Sequence, residues 1–231
     1  FNEMSKSIDE LIILNINKSQ RPVSKQFIKN ISPLIEKSLM PVGIGGGIKN
    51  FETAKFYFDN GADKIIINSN FFQGDVSFIE QIVNQYGSQS VVASIDYKKQ
   101  GLKNAEVHTD NGEKKIKINL FDAIKRIEKL GAGEILLNSI DRDGVGYGYD
   151  IATLKEVNEI TSLPIIPCGG ADNYLHLLEG IKTNFLYAVS TSHIFNFMGD
   201  GLKETKKMLI SEGYNFIDWD YQSLKISNEN K

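Results

Sequence analysis

Cysteine is nearly missing from the 231-residue chain. Cys168 stands alone, so no disulfide can form within the chain, and a reducing compartment such as the cytoplasm is expected. No run of about 18 apolar residues occurs, so no bilayer-spanning helix is expected. The opening Phe1-Asn2-Glu3-Met4 lacks the basic-then-apolar order of a signal peptide. A basic excess is absent as well: 26 Lys and Arg face 29 Asp and Glu, for a net charge of −3. The resulting pI near 5.7 argues against nucleic acid or a membrane surface as a partner, since phosphate-tracking domains usually exceed about 9. Arginine is scarce too (Arg21, Arg126 and Arg142), which reads as composition bias. Of the three histidines, His108 falls in an insertion, His176 on an expected helix and His193 beside Ser192, with no evident nucleophile–base pair. What remains, at 41% hydrophobic and 24% charged residues, is an ordinary soluble composition for one domain over residues 1–231.

Short apolar runs alternate with longer amphipathic stretches, the pattern of βα units on a parallel sheet. Strands are expected at Glu10–Ile16, Pro41–Ile44, Lys64–Asn68, Ser90–Asp96, Glu134–Ile140, Leu163–Pro167 and Phe185–Ser190. Between them, Lys25–Lys37 sets Phe27, Ile28, Ile31, Leu34 and Ile35 on one helical face, and Leu120–Leu130 does so with Phe121, Ile124, Ile127 and Leu130. Gly61, Gly87 and Gly131 precede strands where helices should end, as expected of left-handed C-terminal glycines. One insertion breaks the rhythm: Ala105–Asp110, Asn111-Gly112 and Glu113–Ile118 read as a hairpin with a type I′ turn over the C-terminal end of the sheet.

An internal repeat sharpens the fold. Asp9–Asn15 resembles Gly133–Asn138, and Pro41–Gly46 resembles Pro164–Gly170, both at an offset of about 124 residues. Two similar halves of roughly four units imply an eightfold βα barrel, class α/β. The counterpart of the strand ending at Asp96 would fall before Phe1. The expectation is therefore a TIM barrel lacking its first strand and most of its first helix.

In such barrels chemistry sits at the C-terminal ends of the strands. Gly45-Gly46-Gly47 and Gly169-Gly170, half a barrel apart, can let backbone N–H groups approach a phosphate at each end of a substrate, or can simply turn strand into helix. Asn68-Ser69-Asn70 either completes the first of these sites or caps a helix. Ser190-Thr191-Ser192 ends the last strand, where barrels often build a phosphate site. Asp96 follows an apolar strand and is placed for general acid–base work, or for a salt bridge with Lys98 or Lys99. Asp141 and Asp143 lie in a glycine-rich loop without further ligands, so no metal site and no cofactor are expected. Asp150 reads as the cap of the next helix, Cys168 as packing beside Gly169, and Trp219 as packing near the tail.

At these motifs the sequence resembles the cyclase subunit family of imidazole glycerol phosphate synthase. The stretch Gly131–Gly144 (GAGEILLNSIDRDG), Gly61–Asn68 (GADKIIIN), the Gly45–Gly47 loop and Ser88–Val92 carry the likeness over about residues 8–198. The resemblance implies a (βα)8 barrel in which ammonia from a separate glutaminase subunit converts a bisphosphorylated substrate, phosphoribulosyl formimino aminoimidazole carboxamide ribotide. The products are imidazole glycerol phosphate and the aminoimidazole carboxamide ribotide. It also implies Asp96 as one of two catalytic aspartates, with Asp143 as a carboxylate of the loop region. Gly46, Gly47, Asn68 and Ser69 would form one phosphate site, and Gly169, Gly170 and Ser192 the other. Glu10, Lys64 and Glu134 would form a charged ring that gates ammonia.

Departures from the family pattern are equally legible. The other catalytic aspartate, its lysine and the gate arginine belong to the first strand, outside this sequence. Asn15 replaces an expected aspartate, and His193 stands where a phosphate-binding serine is usual. Ser94–Lys99 and Asn138 look more like a paralogous branch in which the barrel passes ammonia to a surface-polysaccharide sugar amidotransfer system. That role, or a related phosphoribosyl isomerase, is the alternative.

Overall fold

The computed structural model describes residues 8–17, 25–100, 104–192 and 201–215. In chain order the elements are β1 Leu11–Leu14, α1 Lys25–Ile35, β2 Val42–Gly45, α2 Phe51–Asp59, β3 Lys64–Ile67, α3 Ser77–Tyr86 and β4 Val91–Gln100. There follow β5 Asn104–Thr109, β6 Lys114–Asn119, α4 Leu120–Lys129, β7 Glu134–Ser139, α5 Ile151–Asn158, β8 Ile165–Cys168, α6 Tyr174–Lys182 and α7 Gly201–Ser211. The parallel order is β1-β2-β3-β4-β7-β8, and the β5–β6 hairpin is added antiparallel to the far half of β4. This is the α/β architecture of a (βα)8 barrel. The eight strands of its sheet are not the eight of the barrel, because two belong to the hairpin.

Alternation along each strand decides what faces the axis and what faces the helices. Val91, Ala93, Ile95 and Tyr97 join the large apolar layer beneath the helices, whereas Val92 packs inside with Ile66, Leu136 and Ile166. Asp96 shares the inner parity of Val92. α4 shows the helical side of that layer: Leu120, Ala123, Ile124 and Ile127 are buried on one face. In α1, Ile28 and Ile31 are buried, but the helix ends at Ile35 and Leu34 is 36% exposed, so the expected apolar face is narrower than its sequence.

The internal repeat is visible in the hydrogen bonds. Leu11 N donates to Pro41 O at 3.0 Å, and Ile135 N donates to Pro164 O at 2.9 Å, at equivalent places in the two halves. Gly61, Gly87 and Gly131 all take positive φ, of 93°, 84° and 89°, as glycine allows at helix ends, although at Gly87 a ψ of 155° makes the turn extended and not left-handed helical.

Two expectations need correction. Phe185–Ser190 is not a ladder strand: Tyr187 N reaches Ile165 O at a long 3.4 Å, and Tyr187 is 81% exposed. The run borders β8 on one side and has no strand on its other side among the described residues. In the hairpin, Thr109 pairs with Lys114, so the connection is the four residues 110–113 and not a two-residue turn. Asp110 and Asn111 have φ of 55° and 61°, values that Asp and Asn accept more readily than most residues. The hairpin rests on the loop after β3: Gln73 Nε2 donates to Thr109 Oγ1 at 2.9 Å, and Asp110 N to Ser69 Oγ at 3.4 Å. At the other end of the sheet Lys206 of α7 pairs with Asp9 at 2.7 Å. No helix among the described residues is long and apolar enough to cross a membrane.

Candidate functional site

A cavity of about 1650 Å³ follows the inside of the sheet. Glu10, Lys64 and Glu134 line one end, Ile12, Ile66, Leu136 and Ile166 its middle, and Gly46, Asn68, Asp96, Asp143 and Ser192 the end where the strands finish. Inner-facing positions produce this sequence of polar, apolar and polar zones directly from strand alternation.

Asp96 lies in the upper zone. Asn68 Nδ2 donates to its Oδ2 and Asn138 Nδ2 to its Oδ1, both at 2.9 Å. Burial raises the Asp96 carboxyl above the ordinary carboxylate range. The two carboxamide donors pull it down, Asp143 pushes it up, and His108 pulls it down, but burial prevails. Such a group can hold a proton closer to neutral pH than an exposed aspartate. The alternative salt bridge is not formed with Lys99, which pairs with Asp150 at 3.5 Å from the other face of β4.

The two glycine loops flank this carboxyl. Gly46 and Gly47 line the large cavity with Asn68 and Ser69, while Gly169 and Gly170 line a smaller recess that shares Asp143 and Ser192 with it. Gly46 and Gly170 take φ of 107° and 99°; a Cβ on Gly46 would stand 2.3 Å from Asn15 O, and one on Gly170 2.1 Å from Gly148 O. Only glycine fits in either loop. Asn68 makes no side-chain cap to the short 3-10 turn that follows it; its carboxamide is directed to Asp96 instead. His193 lies outside the described residues, so Ser192 is the member of that pair with a described position.

Asp141 and Asp143 diverge. Asp141 Oδ2 accepts from Lys99 N at 2.9 Å, whereas Asp143 lines both cavities. Asp150 caps α5, accepting from Thr153 N and Thr153 Oγ1, and also receives Tyr97 OH at 3.2 Å. Burial raises its carboxyl, but Thr153, Lys99 and Tyr97 outweigh that and hold it below the usual range.

At the opposite end Lys64 Nζ lies 2.8 Å from Glu10 Oε2 and 2.8 Å from Glu134 Oε1. Burial alone would lower the lysine pKa. Hydrogen bonds and charge from the two glutamates reverse this and raise it. The ammonium is therefore held charged, while Glu10 Oε1 is buried with no hydrogen-bond partner among the described residues.

Four residues join the site that sequence reasoning did not place there. Asn138 was legible through its strand alternation with Leu136, but its chemistry depends on standing opposite Asp96 in register. His108 is the Cα partner of Asp96 on β5; its Nδ1 is 3.1 Å from Gly112 O, and its buried Nε2 has no partner among the described residues. Tyr57 and Tyr149 anchor loop carbonyls from the helical layer, and no motif marks them. Burial pushes the Tyr57 hydroxyl up to about 12 and that of Tyr149 higher still, so both remain neutral donors.

Comparison with known proteins points to one family. The family model described as histidine biosynthesis protein matches residues 3–199. A protein provisionally named imidazole glycerol phosphate synthase subunit hisF2, from Parasynechococcus marenigrum, is 41% identical over 208 residues, covering 90% of this chain and 76% of the relative. The imidazole glycerol phosphate synthase subunit HisF of Chlorobium phaeobacteroides is 38% identical over 89% of this chain and 80% of its own length. That of a Thermotoga species is 39% identical over 90% and 81% respectively.

Proposed function

The chain belongs to the histidine biosynthesis protein family, and we propose on that footing that it is the cyclase subunit of imidazole glycerol phosphate synthase. Its substrate would be the bisphosphorylated ribotide, phosphoribulosyl formimino aminoimidazole carboxamide ribotide, with ammonia supplied by a glutaminase subunit. The observation that carries this reading is Asp96: a half-buried carboxyl with a raised pKa, held by two carboxamides and seated between two glycine loops that only glycine can form.

Each part of the cavity has work to do in that reaction. The Gly46–Gly47 loop with Ser69, and the Gly169–Gly170 loop with Ser192, would hold one phosphate each by backbone and hydroxyl donors. The ribotide would then be stretched across the mouth with its reacting carbons over Asp96 and Asp143. Asp96 would take a proton as the carbon–nitrogen bond to ammonia forms and return one as the carboxamide ribotide leaves, a role suited to a carboxyl shifted toward neutral pH. Asn68 and Asn138 fix its orientation. The Glu10–Lys64–Glu134 cluster would admit ammonia at the far end, where the glutaminase subunit would dock.

The test is direct: wild-type protein with the ribotide and ammonium salt should release imidazole glycerol phosphate, and Asp96→Asn should remove that turnover. Undiminished turnover in Asp96→Asn would end the role given to Asp96. A second reading is favoured by one observation, that both oxygens of Asp96 already carry a carboxamide donor. In it the barrel only conducts ammonia for a sugar amidotransfer partner. It predicts stimulation of a glutaminase with no ribotide consumed.

A further inference from the structure

Two buried tyrosines reach out of the apolar layer to the loops on either side of the cavity. Tyr57, from α2, is fully buried, and its hydroxyl donates to Gly46 O at 2.9 Å. Tyr149, just before α5, is 3% exposed, and its hydroxyl donates to Ser190 O at 2.7 Å. A phenylalanine would fill either space equally well, and burying a hydroxyl costs free energy unless it is bonded. Each hydroxyl therefore has a use, and the peptide plane says what it is. In a trans peptide the C=O and the following N–H point in opposite directions. A carbonyl drawn back toward the helices turns the next N–H toward the cavity. For Gly46 that donor is Gly47 N–H, and for Ser190 it is Thr191 N–H; both residues line the cavity. Neither loop is free to turn over. Asn15 O crowds the front of Gly46, while Ser190 Oγ holds Pro167 O and Thr191 Oγ1 holds Ala171 O at 3.0 Å.

We propose that Tyr57 and Tyr149 are positioning residues that aim the Gly47 and Thr191 N–H donors at two phosphate groups, one at each end of the substrate. The proposal rests on the bisphosphate reading above and adds to it the device that orients each cradle from behind. Neither tyrosine touches the substrate, so removing a hydroxyl should weaken binding while leaving the chemical step in place.

Tyr57→Phe, Tyr149→Phe and the double variant test this in the full chain. Losing one neutral hydrogen bond that orients a donor should raise KM for the ribotide about fivefold in each single variant, with kcat within about twofold of wild type. Because the cradles are separate, the two increases should multiply in the double variant. A lower melting temperature with unchanged KM would overturn the proposal, since that is all a packing role would do. If wild-type protein does not turn over the ribotide, the functional reading fails separately, and inorganic phosphate serves as the probe. Calorimetric binding of phosphate that weakens in both variants would sustain the positioning role; equal binding in all forms, or none in wild type, would overturn it.

Discussion

Asp96 and Asn138 face each other across the parallel β4–β7 pair, and the Asn138 carboxamide donates to Asp96 Oδ1 at 2.9 Å. This partner is supplied by strand register, while Asn68, just past the end of β3, holds the other oxygen. That relation governs both the reactivity and the stability of the site.

Asp96→Asn should lower ammonia-dependent turnover by at least about 10²-fold, the usual scale of a lost general acid–base group. It should also stabilise the fold. The carboxyl has a raised folded pKa, so its favourable contribution is complete below the unfolded value near 3.9 and is lost as pH rises through the folded value. A neutral carboxamide escapes that loss. Melting temperatures should therefore favour the variant at pH 7 and converge with wild type below about pH 4.

Asn138→Ala deletes one donor to the charged form of Asp96. The carboxyl pKa should rise further, and the acidic limb of the kcat/KM profile should move to higher pH. A profile that keeps its shape would show that Asn138 does not tune this group.

Lys64→Met leaves Glu10 and Glu134, both half-buried, without a cation. A loss of about 1 kcal/mol is expected in denaturant titrations, because solvent screens part of the repulsion left in a half-buried cluster that has lost its cation. Adding Glu134→Gln should recover part of it.

Asp150→Ala removes a helix cap together with the partners of Tyr97 and Lys99, and about 2 kcal/mol should go with it. Here the folded pKa is depressed, so the stabilisation is present above the unfolded value and disappears as pH falls through the folded one. The gap between wild type and variant should narrow below about pH 4.

The barrel class and much of the site were legible in the sequence for one reason: period-two strands and glycine loops are local signals. The glycine pairs and the Lys64 cluster stand at strand ends, and Asp96 on the inward parity of β4, which runs on to Gln100 beyond the expected end at Asp96; position in the run tells which way each side chain points. The rest required three dimensions. Asn68 reads as a cap or a phosphate ligand, yet its amide turns to Asp96, since an inward carboxamide at the end of the neighbouring strand offers the half-buried carboxylate a donor. Tyr57 looks like any apolar-face residue of a helix; its hydroxyl acquires meaning only where the chain returns at Gly46. Phe185–Ser190 has the composition of a strand, but a ladder needs neighbours, and composition does not report them.

β4 is shared between two structures. Its first three residues pair with β3, its middle six with β7 and its last five with β5. Asp96 stands where the last two overlap, in register with Asn138 on one side and with His108 on the other. The hairpin is thus no detachable flap. It pairs with the same strand that bears the carboxylate, from Asp96 to Gln100, so peeling it away would strip the ladder from one side of Asp96 itself.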